Sequence, residues 1–503
     1  MTMVAVIGVI SMINHFSGHD WGDDFALYMR QAKALTTGNI GEVISDNRFS
    51  VDNSGWHTFS PYSYPWGWPL VIAPFYAVFG LNYELFKFLE VIAFCVFLLA
   101  FFAIVRRRAG TRPATILTLL IGLSPSYVGA TDTVLSDIPF LCSVGLSLWW
   151  MDRCRLGGIL GGGRHRLVIL GLLLAYTYNV RREGIVLLFS LVALHLAVLA
   201  GTAVRAGSVQ ALRDLKWREV RLPYMTFLAA IVTFHLLLPT VLLPRASGAG
   251  VQNISSRLTY YQDILAQQVG LQDPGQPMQL LGSEAAARFA LALLVMLAVI
   301  GVIGRLLYRL EEDSMLAAYL CGSSFLMLVS PYQEGRYLLT VTPLLGYFAY
   351  QALPSIAQLV TSGNQALVRL TSVVPALAVA GLVTLNAQAL AHSTNYHLDY
   401  HYIAHGPESP DAQQMFTAVR DLTREDDVIL FFRARAMTLY SDRPAIMGTN
   451  LDQLLKRADW YVMAKDSTYS QTLLTDEQAA AHGLAKKWEN TGWVIWRVPP
   501  RDA

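Results

Sequence analysis

The sequence predicts a polytopic α-helical membrane protein of about eleven transmembrane helices with a small extracytoplasmic α/β domain at its C-terminal end. Three observations carry that prediction. The composition is 54% hydrophobic and only 15% charged over 503 residues, outside the range of soluble globular chains. Apolar runs long enough to cross a bilayer alternate with connections of two kinds, basic ones and longer mixed ones. Past Ser409 this pattern gives way to short helices alternating with short strands.

The runs that match a span of roughly 17 to 25 residues lie at about 84–105, 114–130, 136–151, 167–180, 185–202, 222–243, 285–308, 314–330, 337–353 and 371–391. A shorter run, Val4 to Phe16, precedes them; at 1.5 Å per residue Met1 to Phe16 covers only roughly 24 Å. It lacks a basic flank, and the charged segment and cleavage site of a signal peptide are absent. A short first helix, or a start codon placed too far downstream, is therefore expected. The connections Arg106-Arg107-Arg108 with Arg112, Arg153 to Arg166, and Arg205 to Arg221 are strongly basic, which places them in the cytoplasm by the positive-inside rule. Alternation then puts residues 17–83, the loop 244–283 and the tail from about 392 outside. The formal charge of +2 says nothing about partners until it is distributed over these loops.

Residues 1–391 are thus expected to form the membrane domain and 392–503 an external α/β domain. In the latter, an amphipathic helix over Asp411 to Leu422 precedes a strand at Val428 to Phe432. A helix at Asp452 to Arg457, a strand at Trp460 to Met463 and a closing strand at Trp493 to Val498 follow. Roughly a hundred residues suffice for a core of their own. The cysteines, Cys95, Cys142, Cys154 and Cys321, lie in or beside apolar runs and imply no disulfide framework.

Charged residues at the outer membrane face need a reason, because they are costly there, and they recur at four places. Asp23 and Asp24 in Trp21-Gly22-Asp23-Asp24-Phe25 stand just past the first run. Beyond them Phe25 to Leu35 reads as an amphipathic helix along the membrane surface, with Asp24, Tyr28, Gln31 and Leu35 on one side. Asp132 and Asp137 occupy the second outer turn, where Ser136 or Asp137 fits a helix cap and Pro139 the first turn. Arg181, Arg182 and Glu183 form the third cluster; Glu334, Arg336 and Tyr337 form the fourth. Arginines on the outer side run against the positive-inside bias, and guanidinium binds phosphate in a bidentate way at any pH. Each cluster alone is equally well read as an ion pair satisfying itself; their convergence on one side favours function.

Tyr62, Tyr64, Trp66 and Trp68 carry a double meaning: rings stack on sugars, and they also anchor proteins at the membrane interface, the role expected of most of them. His397, His401 and His405 are four residues apart, and His15 with His19 precedes the acidic pair; an interfacial hinge accounts for the tail group better than a metal does. Gly-rich phosphate loops, HExxH and paired cysteines at metal spacing are all absent from the sequence. Charge at a site must then come from arginine, lysine or an ion.

The chain resembles the GT-C superfamily of membrane glycosyltransferases, in particular the bacterial group of lipid A aminoarabinose transferases and, more distantly, the protein O-mannosyltransferases. The resemblance rests on Gly22-Asp23-Asp24-Phe25-Ala26-Leu27-Tyr28 with Gln31-Ala32-Lys33, Tyr64-Pro65-Trp66-Gly67-Trp68-Pro69, Ser136-Asp137-Ile138-Pro139 and Glu334-Gly335-Arg336-Tyr337-Leu338-Leu339. It implies an inverting glycosyltransferase in a bacterial plasma membrane, moving a hexose or pentose from a polyprenyl-phosphate donor to a lipid, glycan or protein acceptor at the outer face. The resemblance makes Asp24 the catalytic base, with Asp23 as a neighbour that orients the acceptor or raises the pKa of its partner. Asp137, Asp132, Arg181, Arg182, Glu334, Arg336, Tyr337 and Tyr64 are then the substrate-binding candidates. No organic cofactor and no nucleic-acid partner are expected; a divalent cation is left open.

The competing reading is a multi-span transporter or a flippase for lipid-linked sugars, since buried charges among many spans also describe carriers. Against it stand the one-sided charges, the long outer loops and the folded tail; paired broken helices, the carrier signature, are not evident in the sequence.

Overall fold

The computed structural model describes residues 1–55, 61–156, 163–208, 217–240, 254–272, 278–280, 282–330, 332–360 and 371–500. The first apolar run forms α1 (Thr2–Ile13), which ends at Asn14. Three helices follow in the expected outer loop: α2 (Asp24–Thr37), α3 (Ile40–Asn53) and α4 (Gly67–Phe79). Of these the sequence predicts only the first, as a surface helix. The structure corrects that reading: Phe25 to Met29, Gln31, Ala32 and Ala34 are buried, because α4 and a helix of the C-terminal unit cover α2.

The helical bundle continues with α5 (Tyr83–Ala109), α6 (Thr111–Gly122), α7 (Pro125–Ala130), α8 (Asp137–Leu156) and α9 (Arg164–Val180). The run expected at 114–130 is broken in two because Pro125 forces Ser124 into an extended conformation, ψ 124°. Next come α10 (Val186–Ala206), α11 (Trp217–Leu237) and α12 (Ile254–Gln268), the last lying within the expected loop 244–283; residues 244–253 of that loop are outside the described residues. The runs at 285–308 and 314–330 join into α13 (Glu284–Val329), kinked at Arg309. A 3-10 turn, Gly335–Thr340, leads into α14 (Thr342–Val360), and α15 (Val373–Asp399) completes the bundle. Among the described residues five helices are long and apolar enough to cross a membrane: Tyr83–Ala109, Arg182–Ala206, Glu219–Leu237, Glu284–Val329 and Val373–Asp399. The other expected spans are shorter or less apolar.

The basic connection after α5 is not merely solvated charge. The Arg108 side chain is only 1% exposed, donating to Asp152 at 2.9 Å and to Asp313 at 2.8 Å, while Arg305 and the Tyr347 hydroxyl also bind Asp313. This network ties α5, α8, α13 and α14 together, and its guanidiniums are satisfied by carboxylates within the fold.

The C-terminal unit is a five-stranded sheet of order β2-β1-β3-β5-β4. Helix α16 (Pro410–Leu422) starts with Ser409 capping Ala412 N and Pro410 in the first turn. Strand β1 (Ile429–Leu430) lies parallel to β2 (Ala445–Ile446) and β3 (Trp460–Ala464), with α17 (Ala434–Ser441) and α18 (Leu451–Leu455) between them in the chain. After α19 (Asp476–Ala481), β4 (Ala485–Glu489) and β5 (Trp493–Arg497) close the sheet, β5 antiparallel to β3 and β4 antiparallel to β5. All five residues of β3 are buried, because apolar clusters cover both faces of the sheet. The β2 and β4 strands escape sequence reading for different reasons: β2 is two residues long and β4 is a mostly exposed, lysine-bearing edge.

Trp21 joins this unit to the first loop. Its ring lies among Phe416, Phe431, Phe432, Tyr469 and Trp493, at 5.2–6.4 Å between centroids, and its indole N–H donates to the His405 carbonyl. Ser17 pairs with the strand segment at Tyr402, the Ser50 hydroxyl donates to Ala445 O, and Gly55 N donates to Met447 O. His397 packs on Phe16 at 4.0 Å between ring centroids. Removing the Trp21 ring should cost about 3 kcal/mol of the contact. Trp21→Ala is therefore expected to speed limited proteolysis between residues 400 and 409 and to lower the melting temperature; an unchanged digestion rate would show that the ring does not hold the unit.

Candidate functional site

Helix α2 builds the site. Asp24 is its first residue, and Tyr28 and Gln31 follow on the same face, one and two turns on. The Gln31 amide clamps the backbone of Tyr64 in both directions, at 3.0 Å each. That clamp sets the Tyr64 ring 4.8 Å from the Tyr28 ring and lets its hydroxyl donate to Asp24 Oδ1 at 2.5 Å. Gly67 makes the approach of this segment to α9 possible, since a Cβ there would stand 2.6 Å from the Asn179 carbonyl oxygen. Tyr28 in turn donates to Ser136 Oγ at 2.8 Å, just before α8.

Arg336 ties the separate clusters into one. From the 3-10 turn Gly335–Thr340, held by the Tyr127 hydroxyl on Leu339 O, its guanidinium donates to Asp24 Oδ2 at 3.0 Å and to Asp137 Oδ2 at 3.4 Å. Asp137 also accepts from Arg181 at 2.5 Å, and Arg181 donates to Glu183 at 3.2 Å while lying over the Tyr337 ring at 5.3 Å. Glu334 stands 4.0 Å from Arg336. Of the residues expected at the site, Asp23, Asp24, Tyr64, Asp137, Arg181, Glu334, Arg336 and Tyr337 are brought together here.

Two expected residues are not. Asp132 faces away, paired with buried Lys87 at 2.8 Å and accepting from Phe16 N. Arg182 donates to Tyr178 O and to Thr240 Oγ1 instead of turning inward, because the 3-10 turn at Arg182–Ile185 points consecutive side chains to different sides. Two of the expected interfacial anchors are corrected as well: Trp66 and Trp68 are buried in the fold.

Sequence reasoning missed Arg433 and Arg435, which come from the C-terminal unit. Arg435 donates to Asn47 Oδ1 at 2.8 Å, to Pro61 O at 3.0 Å and to the Tyr64 hydroxyl at 3.0 Å, and lies 3.9 Å from Asp24. Asp23, which precedes α2, does not cap that helix; its Oδ1 accepts from Arg435 N near the start of α17, some four hundred positions away in the chain (|i−j| = 412). No periodicity around Arg435 signals this; only the docking of the two units does.

The two carboxylates are thereby driven apart. Burial pushes Asp24 up, but the Arg336 guanidinium, the Tyr64 hydroxyl and Arg435 outweigh it and hold the carboxyl below its usual range. For Asp23 burial wins over Arg435 and Arg433, with the Asp24 charge adding to it, and its pKa rises to about 6. His19 accepts from Val134 N through Nε2, so its proton sits on Nδ1 and faces Asp20.

Two cavities meet at Arg336. The larger, about 410 Å³, is bordered by Asp23, Asp24, Tyr64, Glu334, Arg433 and Arg435. The smaller, about 60 Å³, is bordered by Arg181, Arg336 and Tyr337, by Asp137 and Glu183, and by the apolar Phe140, Leu326 and Met327. Arginines beside apolar side chains in one cavity suit a phosphate carried on a hydrocarbon chain. Among the described residues no three His, Cys, Asp or Glu side chains are grouped to hold a metal ion.

No family model and no curated protein matches the chain by sequence. Solved structures do match. Cupriavidus metallidurans ArnT bound to undecaprenyl phosphate aligns over 99% of this chain and 98% of its own, with a TM-score of 0.55 at 11% identity. The Archaeoglobus fulgidus oligosaccharyltransferase in its apo form aligns over 92% of this chain and 69% of its own, with a TM-score of 0.56 at 12% identity. The same enzyme tethered to an acceptor peptide containing the NVT sequon gives a TM-score of 0.52 at 10% identity, over 92% and 68% of the two chains. At such identities the likeness is one of architecture, and it establishes that this chain has the GT-C fold.

Proposed function

We propose that the protein is a multi-pass membrane glycosyltransferase that transfers a sugar from a polyprenyl-phosphate donor to an acceptor hydroxyl at the extracytoplasmic face. The observation that carries the reading is the position of Arg336, which holds Asp24 on one side and borders the apolar-walled cavity with Arg181 on the other. The undecaprenyl phosphate bound by the ArnT of like fold supports a lipid-phosphate occupant for that cavity.

In this mechanism the donor phosphate lies between Arg181 and Arg336, with its sugar reaching into the larger cavity. The acceptor hydroxyl approaches from the side of Asp24, which takes its proton. The acceptor oxygen forms a bond to the anomeric carbon as the bond from that carbon to the phosphate oxygen breaks. The leaving polyprenyl phosphate gathers negative charge, which the two guanidiniums stabilise. Entry and departure on opposite faces give inversion. Asp24 is suited to the task because it stays ionised, and its side chain keeps 29% of its surface open toward the cavity. The C-terminal unit, which follows α15, acts on the same external side, since it supplies Arg435 to the base and Arg433 to the cavity wall.

Asp24→Asn should lower the transfer rate by about 10²- to 10⁴-fold and leave the binding of polyprenyl phosphate intact, as measured with purified protein and a panel of polyprenyl-phosphate sugars. Transfer at the parental rate would remove Asp24 from the base role. Arg336 holds the Asp24 carboxyl down, so Arg336→Gln lets burial raise it. The acid limb of kcat/KM against pH is expected to move to higher pH in that variant, with weaker lipid-phosphate binding. A limb that stays in place would mean that the titrating base is another group.

A further inference from the structure

One corner of the larger cavity takes no part in the chemistry proposed above. Asp23 uses Oδ1 on Arg435 N, but its Oδ2 is buried and accepts no hydrogen bond. The Nε of Arg433, on the same cavity wall, is also buried and donates none. Among the described residues the Arg433 guanidinium forms no hydrogen bond or ion pair; it lies 5.9 Å from the Phe432 ring. The neighbouring Arg336 and Arg435 are engaged with Asp24, Asp137, Asn47, Tyr64 and Pro61, although Arg336 Nε is likewise buried without a hydrogen bond. A buried acceptor and a buried donor are thus left open on the walls of one cavity, where groups of this kind ordinarily find a partner.

The charges around them select the occupant. An anion would suit Arg433 but meet Asp20, Asp23, Asp24 and Glu334 on the same walls; a cation would suit Asp23 but meet Arg336, Arg433 and Arg435. A neutral polyol satisfies both groups, because one hydroxyl donates to the carboxylate while its neighbour accepts from the guanidinium. We propose that Asp23 and Arg433 form a hydroxyl clamp for the ring of a sugar bound beside Asp24, a specificity-determining pair assembled from the first loop and the C-terminal unit. The inference rests on the proposed function in taking that ring to be the donor's sugar. A cavity of about 410 Å³ has room for a monosaccharide ring with part of an acceptor.

The test uses the full chain in micelles, with Asp23→Asn and Arg433→Lys. Asparagine keeps an oxygen for the Arg435 N–H and replaces the open acceptor by an NH2 group; lysine keeps the charge and loses the Nε–H. The probes are a short-chain polyprenyl phosphate, the same lipid bearing a hexose, and methyl hexopyranosides with their deoxy analogues. In the parent, the hexose-bearing lipid is expected to bind more tightly than the bare lipid. Each variant should lose that advantage, by about 10- to 100-fold, and still bind the bare lipid like the parent. An advantage retained in both variants, or an equal loss for both lipids, overturns the clamp. If the parent binds neither lipid, the polyprenyl-phosphate reading fails on its own and the methyl hexosides decide. Binding by the parent and not by the variants upholds the clamp; no binding, or a preference for methyl hexuronides, overturns it.

Discussion

The Arg336 guanidinium, shared between Asp24 and Asp137, is the interaction on which the arrangement of the site depends. It joins the start of α2, the start of α8 and the turn before α14, three places brought side by side only by folding. Each carboxylate is partly removed from water, so leaving either without the arginine would strand a charge in a poorly solvated place. The same ion pair explains why two adjacent aspartates behave differently: Asp24 faces cations and a phenol, whereas Asp23 sits behind the C-terminal unit, where burial prevails.

A second dependence runs through the C-terminal unit. Arg435 reaches Asn47 on α3, Pro61 and Tyr64 in the loop and the neighbourhood of Asp24, while Asp23 returns a carboxylate to the backbone of α17. The unit and the first loop thus complete each other's polar groups, and Trp21 fills the aromatic gap between them. At another place in the bundle Arg108, Arg305, Asp152 and Asp313 form a separate buried network. The arginine run Arg106-Arg107-Arg108 reads in the sequence as a cytoplasmic loop, but the Arg108 guanidinium works as an internal tie between helices.

Much of the fold is legible in the chain. The long apolar runs become α5, α10, α11, α13 and α15, and the alternation after Ser409 becomes a sheet with covering helices. Misreadings occur where local pattern and tertiary cover disagree. Helix α2 has the periodicity of a surface helix and is buried because other elements close over its polar side, where Tyr28, Gln31 and Asp24 find partners. Asp132 and Arg182 carry the same chemistry as Asp137 and Arg181, and a turn of backbone sends them to Lys87 and Thr240 instead.

By itself the sequence determined the membrane character, the α/β tail and the set of charges from which a site is drawn, because apolar length, short-range periodicity and the cost of charge in lipid are all local properties. Tertiary structure alone decided which charges meet, how Asp23 and Asp24 diverge, and that Arg433 and Arg435 enter from the far end of the chain. The physical reason is range: a hydrogen bond or an ion pair acts over a few ångströms in space, and no spacing along the chain encodes a contact between Asp23 and Arg435.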